Sequence, residues 1–230
     1  MRKILITGAS NGIGLAIAET LISNGDFVYN VDIVPPEKTC SNYRYIESDL
    51  SKLDSFEVPS DIDILINNVG VSDKSTRLVD LTWDQIFNLV NVNFVGQMFL
   101  SRQVIQTWLE LNKKGLILTV SSIASYLAGV GEGSVYTSLK HAQNGLIKGL
   151  AAEYGPFGIR SIGLAPGAVD TAMNSYMSST EMEAVSDVIP LRRWSTPQEI
   201  AMAAKWLVSE ENTFMNGTTL ILDGGDTIFK

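Results

Sequence analysis

The sequence has one cysteine, Cys40, and one histidine, His141. A lone thiol cannot form an internal disulfide, which suits a reducing cytoplasm, and one Cys with one His makes no sensible zinc site. No metal is therefore expected. Basic residues are outnumbered, 17 Lys and Arg against 25 Asp and Glu, for a net charge of −8. That balance argues against a general nucleic-acid binder. No apolar run approaches the ~18 residues of a membrane-spanning helix, so no membrane partner is expected. The opening M-R-K-I-L-I-T-G-A-S has two basic residues and a short apolar run. Glycines follow at once, with no small-residue cleavage pattern, so no signal peptide is expected. Repeats, linkers and low-complexity segments are also missing.

What is present is a chain of 230 residues that is 45% hydrophobic and 18% charged. It is long enough for a large core, and one domain over 1–230 is expected. Apolar strands alternate with amphipathic helical stretches throughout. That pattern predicts an α/β fold, a doubly wound parallel sheet with helices on both faces.

The chemistry gathers in Ser134–Tyr154, which reads as one helix. Tyr136 and Lys140 lie four residues apart, so they share a face, about 6 Å apart along the axis. Of seven Tyr, Tyr136 alone has a Lys four residues on. A neighbouring ammonium favours the phenolate, and a Tyr tuned this way exchanges a proton with a carbonyl or alcohol near neutral pH. A surface Tyr beside a surface Lys would carry the same spacing.

The strand Lys3–Thr7 runs into G-A-S-N-G-I-G, Gly8 to Gly14, and then into a helix. Glycines admit a pyrophosphate, and a helix N-terminus supplies N–H groups and a positive dipole end. The spacing is G-x-x-x-G-x-G. Strand Phe27–Asp32 ends in an acid that can accept from both ribose hydroxyls and would repel a 2′-phosphate, so NAD is favoured over NADP. Pro35 and Pro36 break any helix after Asp32. The crossovers over 33–48 and 50–61 are short. Asn67, Asn68 and Gly70, after the strand Ile62–Asn67, are expected to face a ligand crevice. Thr82 with Gln85 forms a capping box that opens a long helix, about Trp83 to Leu111. Gly115–Ser121 and Ile159–Leu164 are further strands. The stretch 171–190, with Met173, Met177, Met182 and Tyr176, reads as a lid over a substrate or as a surface helix with a Met-rich inner face. Thr196-Pro197-Gln198-Glu199 opens the last helix, to about Ser209, and Thr218–Leu222 is the last strand.

In this order the chain resembles the short-chain dehydrogenases/reductases along essentially its whole length. The matching motifs are T-G-A-S-N-G-I-G at 7–14, D-L at 49–50, N-N-V-G at 67–70, N-F-V-G at 93–96, S-S at 121–122, Y-T-S-L-K at 136–140 and P-G-A-V-D-T at 166–171. The late segment I-P-L-R-R-W-S-T-P-Q-E-I-A and the closing L-D-G-G are similar to 3-oxoacyl-(acyl carrier protein) reductase-like members. The resemblance implies a Rossmann-fold oxidoreductase that moves hydride between NAD(P) and a secondary alcohol or ketone. It implies Tyr136 as general acid/base and Lys140 as the residue that holds the nicotinamide ribose and lowers the Tyr pKa. Ser122 would orient the substrate oxygen, with Ser121 as the fallback, and Asn93 would position a water in a proton relay. For the cofactor it implies the turn Gly8, Ser10, Asn11, Gly12, Ile13 and Gly14, with Asp32, Asp49, Leu50, Asn67 and Gly70. Pro166, Gly167, Val169 and Thr171 would meet the nicotinamide side, along with Tyr136 and Lys140.

Three departures stand out. The Ser122–Tyr136 spacing is one residue longer than usual, Val69 replaces the common Ala, and Leu139 precedes the Lys where Ser is frequent. A homotetramer or homodimer through the helices from Trp83 and Tyr136 is implied, with Phe87, Val95, Met98, Leu146 and Leu150 available for burial. The alternatives are a 3-oxoacyl thioester reductase, with Arg192 and Arg193 facing an acidic carrier, and a dinucleotide-binding regulator without turnover.

Overall fold

A computed structural model describes residues 1–52, 56–74, 76–128 and 132–228. Seven strands form one parallel sheet in the order β3-β2-β1-β4-β5-β6-β7. They are β1 Lys3–Thr7, β2 Phe27–Asp32, β3 Tyr43–Glu47, β4 Ile64–Asn67, β5 Gly115–Val120, β6 Ile159–Pro166 and β7 Thr219–Leu222. The helices are α1 Gly12–Ser23, α2 Trp83–Val90, α3 Gly96–Glu110, α4 Ser134–Tyr154, α5 Ser179–Val188 and α6 Pro197–Leu207. This is the doubly wound Rossmann arrangement expected from the alternation.

The strands read as near-continuous apolar runs because both faces are covered. Ile4, Ile6, Ile64, Ile66, Leu116 and Leu118 point to one face, against Ile17 and Leu21 of α1 and Ile200 and Ala204 of α6. Leu5, Leu65 and Ile117 point to the other, against Leu100, Val104 and Trp108 of α3. Each such side chain, fully buried, contributes roughly 1.5–3 kcal/mol before entropy is counted.

Chain order reverses between β1 and β4, and this opens the crevice at the carboxyl ends of the strands. The loop from β2 to β3 has no helix, as the double proline requires, and the segment after Asp49 has a short 3₁₀ turn, Leu50–Lys52. Three expected boundaries moved for physical reasons. β4 begins at Ile64 rather than Ile62, because the Ile62 carbonyl accepts from Trp108 Nε1 at 2.7 Å. β6 runs two residues further, to Pro166, because Ala165 and Pro166 pair with Ile221 and Leu222 of β7. The long helix is interrupted by a π turn, Asn91–Val95, between α2 and α3. The capping boxes at Thr82/Gln85 and Thr196/Glu199 both form. No helix among the described residues is long and apolar enough to cross a membrane, and none of their His, Cys, Asp and Glu cluster as metal ligands.

Candidate active site

The glycine turn lies between β1 and α1, at the reversal. Gly8 and Gly12 have φ of +71° and +55°, the left-handed region that L side chains rarely enter. Gly14 is required for a different reason. A Cβ there would lie 2.1 Å from the Gly8 carbonyl oxygen and 2.5 Å from Asn68 Nδ2. The N-terminus of α1 has no side-chain cap and no acid in its first turn. Its N–H groups and dipole end therefore face the crevice unneutralised, which fits a pyrophosphate bound at Ser10, Asn11, Gly12 and Ile13.

Asp32 is buried at the tip of β2. One carboxylate oxygen accepts from Ser10 N at 3.0 Å and the other from Val34 N at 3.1 Å. A carboxylate has about four acceptor positions, so two hydroxyls can still be received. Asp49 accepts from the backbone and hydroxyl of Ser51, which holds its carboxyl below the usual range. Leu50 is buried, and its carbonyl explains Gly96: a Cβ there would stand 2.6 Å from it.

The Asn67 side chain does not face the crevice. It donates from Nδ2 to Ser101 Oγ on α3, because alternation along β4 turns it to that face. Asn68 occupies the crevice side instead. Its amide donates to the carbonyls of Thr7 and Gly8, both at 3.0 Å, and pins the glycine turn. Val69 stands against Gly8, with its Cα 3.0 Å from a Cβ built there. On the far side of the crevice, Pro166 ends β6. A Cβ on Gly167 would meet Asp223 Cα at 2.8 Å. Val169 bridges to Ser195, and the Thr171 methyl stands 3.7 Å from a Cβ built on Gly12.

Tyr136, Ser122 and Lys140 come together beneath this crevice. The Ser122 hydroxyl is hydrogen-bonded to the Tyr136 phenol, which favours the phenolate. Ser121 turns away, with its hydroxyl 3.4 Å from the Leu164 carbonyl. Lys140 is buried, donates to the Val120 carbonyl at 3.4 Å and has Nζ 5.3 Å from the Tyr136 ring centroid. Desolvation lowers its pKa to about 8. The expected lowering of the Tyr136 pKa is outweighed. Burial, then the charges of Glu132 and Asp73, hold the phenol well above its ordinary range.

Asn93 sits in the π turn, fully buried. Its amide accepts from Val71 N at 3.1 Å and donates to the Val71 and Leu89 carbonyls, both at 2.9 Å. Its own carbonyl accepts from Gln143 Nε2 at 2.8 Å, and the same amide donates to Gln97 Oε1 at 2.8 Å. Gly70 lets these parts meet. A Cβ there would lie 3.0 Å from Asn93 Oδ1 and 3.8 Å from Lys140 Nζ.

Sequence reasoning missed Asp73 and Glu132. Gly133 caps α4 without a side chain, so Asp73 does that work from 60 residues away. It accepts from Gly133 N at 2.8 Å and from Tyr136 N at 3.1 Å. A Cβ on Gly133 would stand 2.2 Å from the Asp73 carboxylate. The only prior signal was the Gly-Glu-Gly before the helix. The expected insertion between Ser122 and Tyr136 falls partly on 129–131, outside the described residues.

Beside Ser122 and Tyr136 is a cavity of about 500 Å³. Met173, Tyr176 and Met177, all before α5, line it, as do Val185 and Val188 of α5, whereas Met182 of α5 is not among the lining residues. His141 is exposed, with its ring against the Thr137 carbonyl.

Glu132 borders the cavity. Burial first, then the charge of Asp73, push its carboxyl up to about 7, while Lys140 opposes the shift. Tyr136 and Tyr176 also feel its charge. A carboxyl raised from about 4.5 to about 7 binds more protons folded than unfolded in that window. Its contribution to stability therefore falls as pH rises through it. Glu132→Gln removes the effect. The variant's stability relative to the parent is expected to improve between about pH 5 and 7.5 in urea titrations. A difference that stays constant with pH would contradict this.

A family model described as Enoyl-(Acyl carrier protein) reductase matches residues 8–227. The chain belongs to the short-chain dehydrogenases/reductases. The uncharacterized oxidoreductase YmfI of Bacillus subtilis is 34% identical, over 97% of this chain and 98% of its own. A 4-hydroxyisoleucine dehydrogenase complexed with NADH superposes with TM-score 0.90 at 28% identity, over 100% of both chains. A putative 2-deoxy-d-gluconate 3-dehydrogenase from Agrobacterium tumefaciens with bound NADP gives TM-score 0.92 at 28% identity, over 99% of this chain and 96% of its own. The protein is an oxidoreductase of alcohol or ketone groups that uses a nicotinamide cofactor.

Proposed function

We propose that this oxidoreductase is an NAD-preferring dehydrogenase of secondary alcohols with Tyr136 as general acid/base. The observation that carries this reading is the meeting of Tyr136, Ser122 and Lys140 between a 500 Å³ cavity and the uncapped glycine turn. Nicotinamide, when bound, supplies or accepts the hydride. The turn from Gly8 to Gly14 would hold the pyrophosphate, Asp32 the adenosine ribose, Asp49 and Leu50 the adenine side. The backbone at Asn67 and Gly70 would run along the ribose. Pro166, Gly167, Val169 and Thr171 would hold the carboxamide, and Lys140 the second ribose.

Tyr136 exchanges the proton at the substrate oxygen, and Ser122 holds that oxygen as its charge changes. In the reduction direction the neutral phenol is ready to donate. For oxidation it must ionise, which Lys140 and the Ser122 hydrogen bond both favour. Asn93 would act through the second lone pair of its carbonyl, since Gln143 takes the first. The 1–230 span would act as one unit in the cytoplasm. Exposed Trp83, Phe87 and Met98 on the α2–α3 face suit a homodimer or homotetramer.

Asp32 sets the cofactor choice. Asp32→Ala is expected to weaken NAD binding about 10-fold and to relax the bias against NADP, because the repelling charge and two acceptors go together. Fluorescence titration with both reduced cofactors measures this. A parent that already prefers NADPH would refute the assignment.

Reduction of a 3-oxoacyl thioester on a carrier protein is the second reading, supported only in that the family model's description names an acyl carrier protein. Against it, Arg192 and Arg193 are engaged with Asp187 and Glu199, and among the described residues no Lys, Arg or His lines the cavity. Absorbance of reduced nicotinamide, followed with secondary alcohols and with 3-oxoacyl thioesters, separates the readings. Cofactor binding with no turnover on either panel would indicate a regulator.

A further inference from the structure

We propose that Glu132 selects secondary alcohols that carry an ammonium group beside the reacting carbon. This rests on the alcohol dehydrogenase reading above. Glu132 borders the substrate cavity four residues before Tyr136, close enough that its charge acts on the phenol. Its Oε2 is buried without a hydrogen-bond partner. A buried acceptor left unsatisfied is costly, and an ionised one without a countercharge is more so.

The neighbouring groups supply that countercharge only in part, through Lys140. Asp73, also acidic, is committed to the N–H groups of Gly133 and Tyr136. Glu181 and Asp226 add two more acids to the cavity lining, which contains no basic side chain among the described residues. Glu181 is engaged by Ser178. Lys140 acts on Glu132 through space, but its ammonium donates to the Val120 carbonyl. Lys74 is exposed and lies over the Tyr176 ring, with Nζ 5.9 Å from the centroid.

A ligand ammonium would satisfy the orphaned oxygen and balance the charge. A neutral hydroxyl would do only the first, and a carboxylate or phosphate would add repulsion. The ammonium is unchanged in the reaction. The C–H leaves with its electron pair as hydride to oxidised nicotinamide, the O–H proton leaves through Tyr136, and a carbonyl forms. Burial favours the neutral Glu132 carboxyl, and a cation beside it would oppose that by favouring the carboxylate.

The test compares 1-amino-2-propanol, its neutral isostere 2-butanol, and lactate, with saturating NAD. The expected result is a kcat/KM at least ~10-fold higher for the amino alcohol than for 2-butanol, a difference of one decade. In Glu132→Gln that ratio is expected to fall to near one. In Glu132→Asp, which keeps the charge, it is expected to persist in part. A parent that prefers 2-butanol or lactate overturns the proposal, as does a ratio that survives in Glu132→Gln.

Calorimetric titration of both neutral and amino alcohols into the protein with NADH reads the same selectivity without turnover. If no alcohol is oxidised, the dehydrogenase reading fails. Tighter binding of the amino alcohol, lost in Glu132→Gln, would still support the role of Glu132. Equal binding of the two alcohols would overturn it.

Discussion

Tyr136→Phe is expected to lower kcat/KM for alcohol oxidation by about 10³-fold while leaving cofactor affinity within about 3-fold of the parent, since a positioned acid/base contributes roughly 10²–10⁴. The substitution is selective because the ring is buried and Phe keeps its packing. What goes is one hydroxyl, the group bonded to Ser122 and facing the cavity. Backbone contacts to Asp73 remain, so α4 keeps its start. Steady-state kinetics with a cofactor titration measures both quantities. Turnover close to the parent's would sink the acid/base assignment. Loss of cofactor binding together with turnover would show that the hydroxyl serves cofactor binding rather than proton transfer alone.

Gly14→Ala is expected to weaken NAD binding by about 100-fold, the equivalent of about 2.8 kcal/mol, and to lower stability by about 1–3 kcal/mol, as overpacking does. The new methyl would sit 2.1 Å from the Gly8 carbonyl oxygen and 2.5 Å from Asn68 Nδ2. Neither can yield cheaply: one is backbone, and the other is the amide that ties the turn to β4. Gly12→Ala is the control. A Cβ there meets Thr171 at 3.7 Å or more, an ordinary contact, so the cost is that of a residue with φ of +55°. That strain is of order 1 kcal/mol. Isothermal titration and urea unfolding of the two variants measure the contrast. Equal effects would mean that the turn is shaped by torsion alone and that the close approach at Gly14 carries no weight.

Features that depend on neighbours in the chain were legible from the residues. Thr82 with Gln85 and Thr196 with Glu199 cap as read, because a capping box closes over three residues. The Tyr136–Lys140 spacing needed only helix geometry. The double proline at 35–36 announced the missing helix. Features that depend on distant partners were not legible. Asn67 and Asn68 look equivalent in sequence, yet the sheet turns one toward α3 and the other toward the glycine turn. The π turn at Asn91–Val95 has no local signature, and its freed Asn93 carbonyl is met by Gln143, 50 residues on.

Periodicity, the glycine spacing and the ordered motifs were thus enough to determine the Rossmann sheet, the crevice at its strand ends and the grouping of Ser122, Tyr136 and Lys140. These are local patterns repeated along the chain, and hydrophobic burial leaves them few arrangements. The charge around the phenol was decided in three dimensions. Asp73 and Glu132 reach Tyr136 only because the β4 loop folds against the start of α4, where Gly133 leaves room for a carboxylate. Desolvation at that contact then sets the ionisation of Tyr136 and Lys140, and burial is a property of the packed molecule that no single stretch of sequence contains.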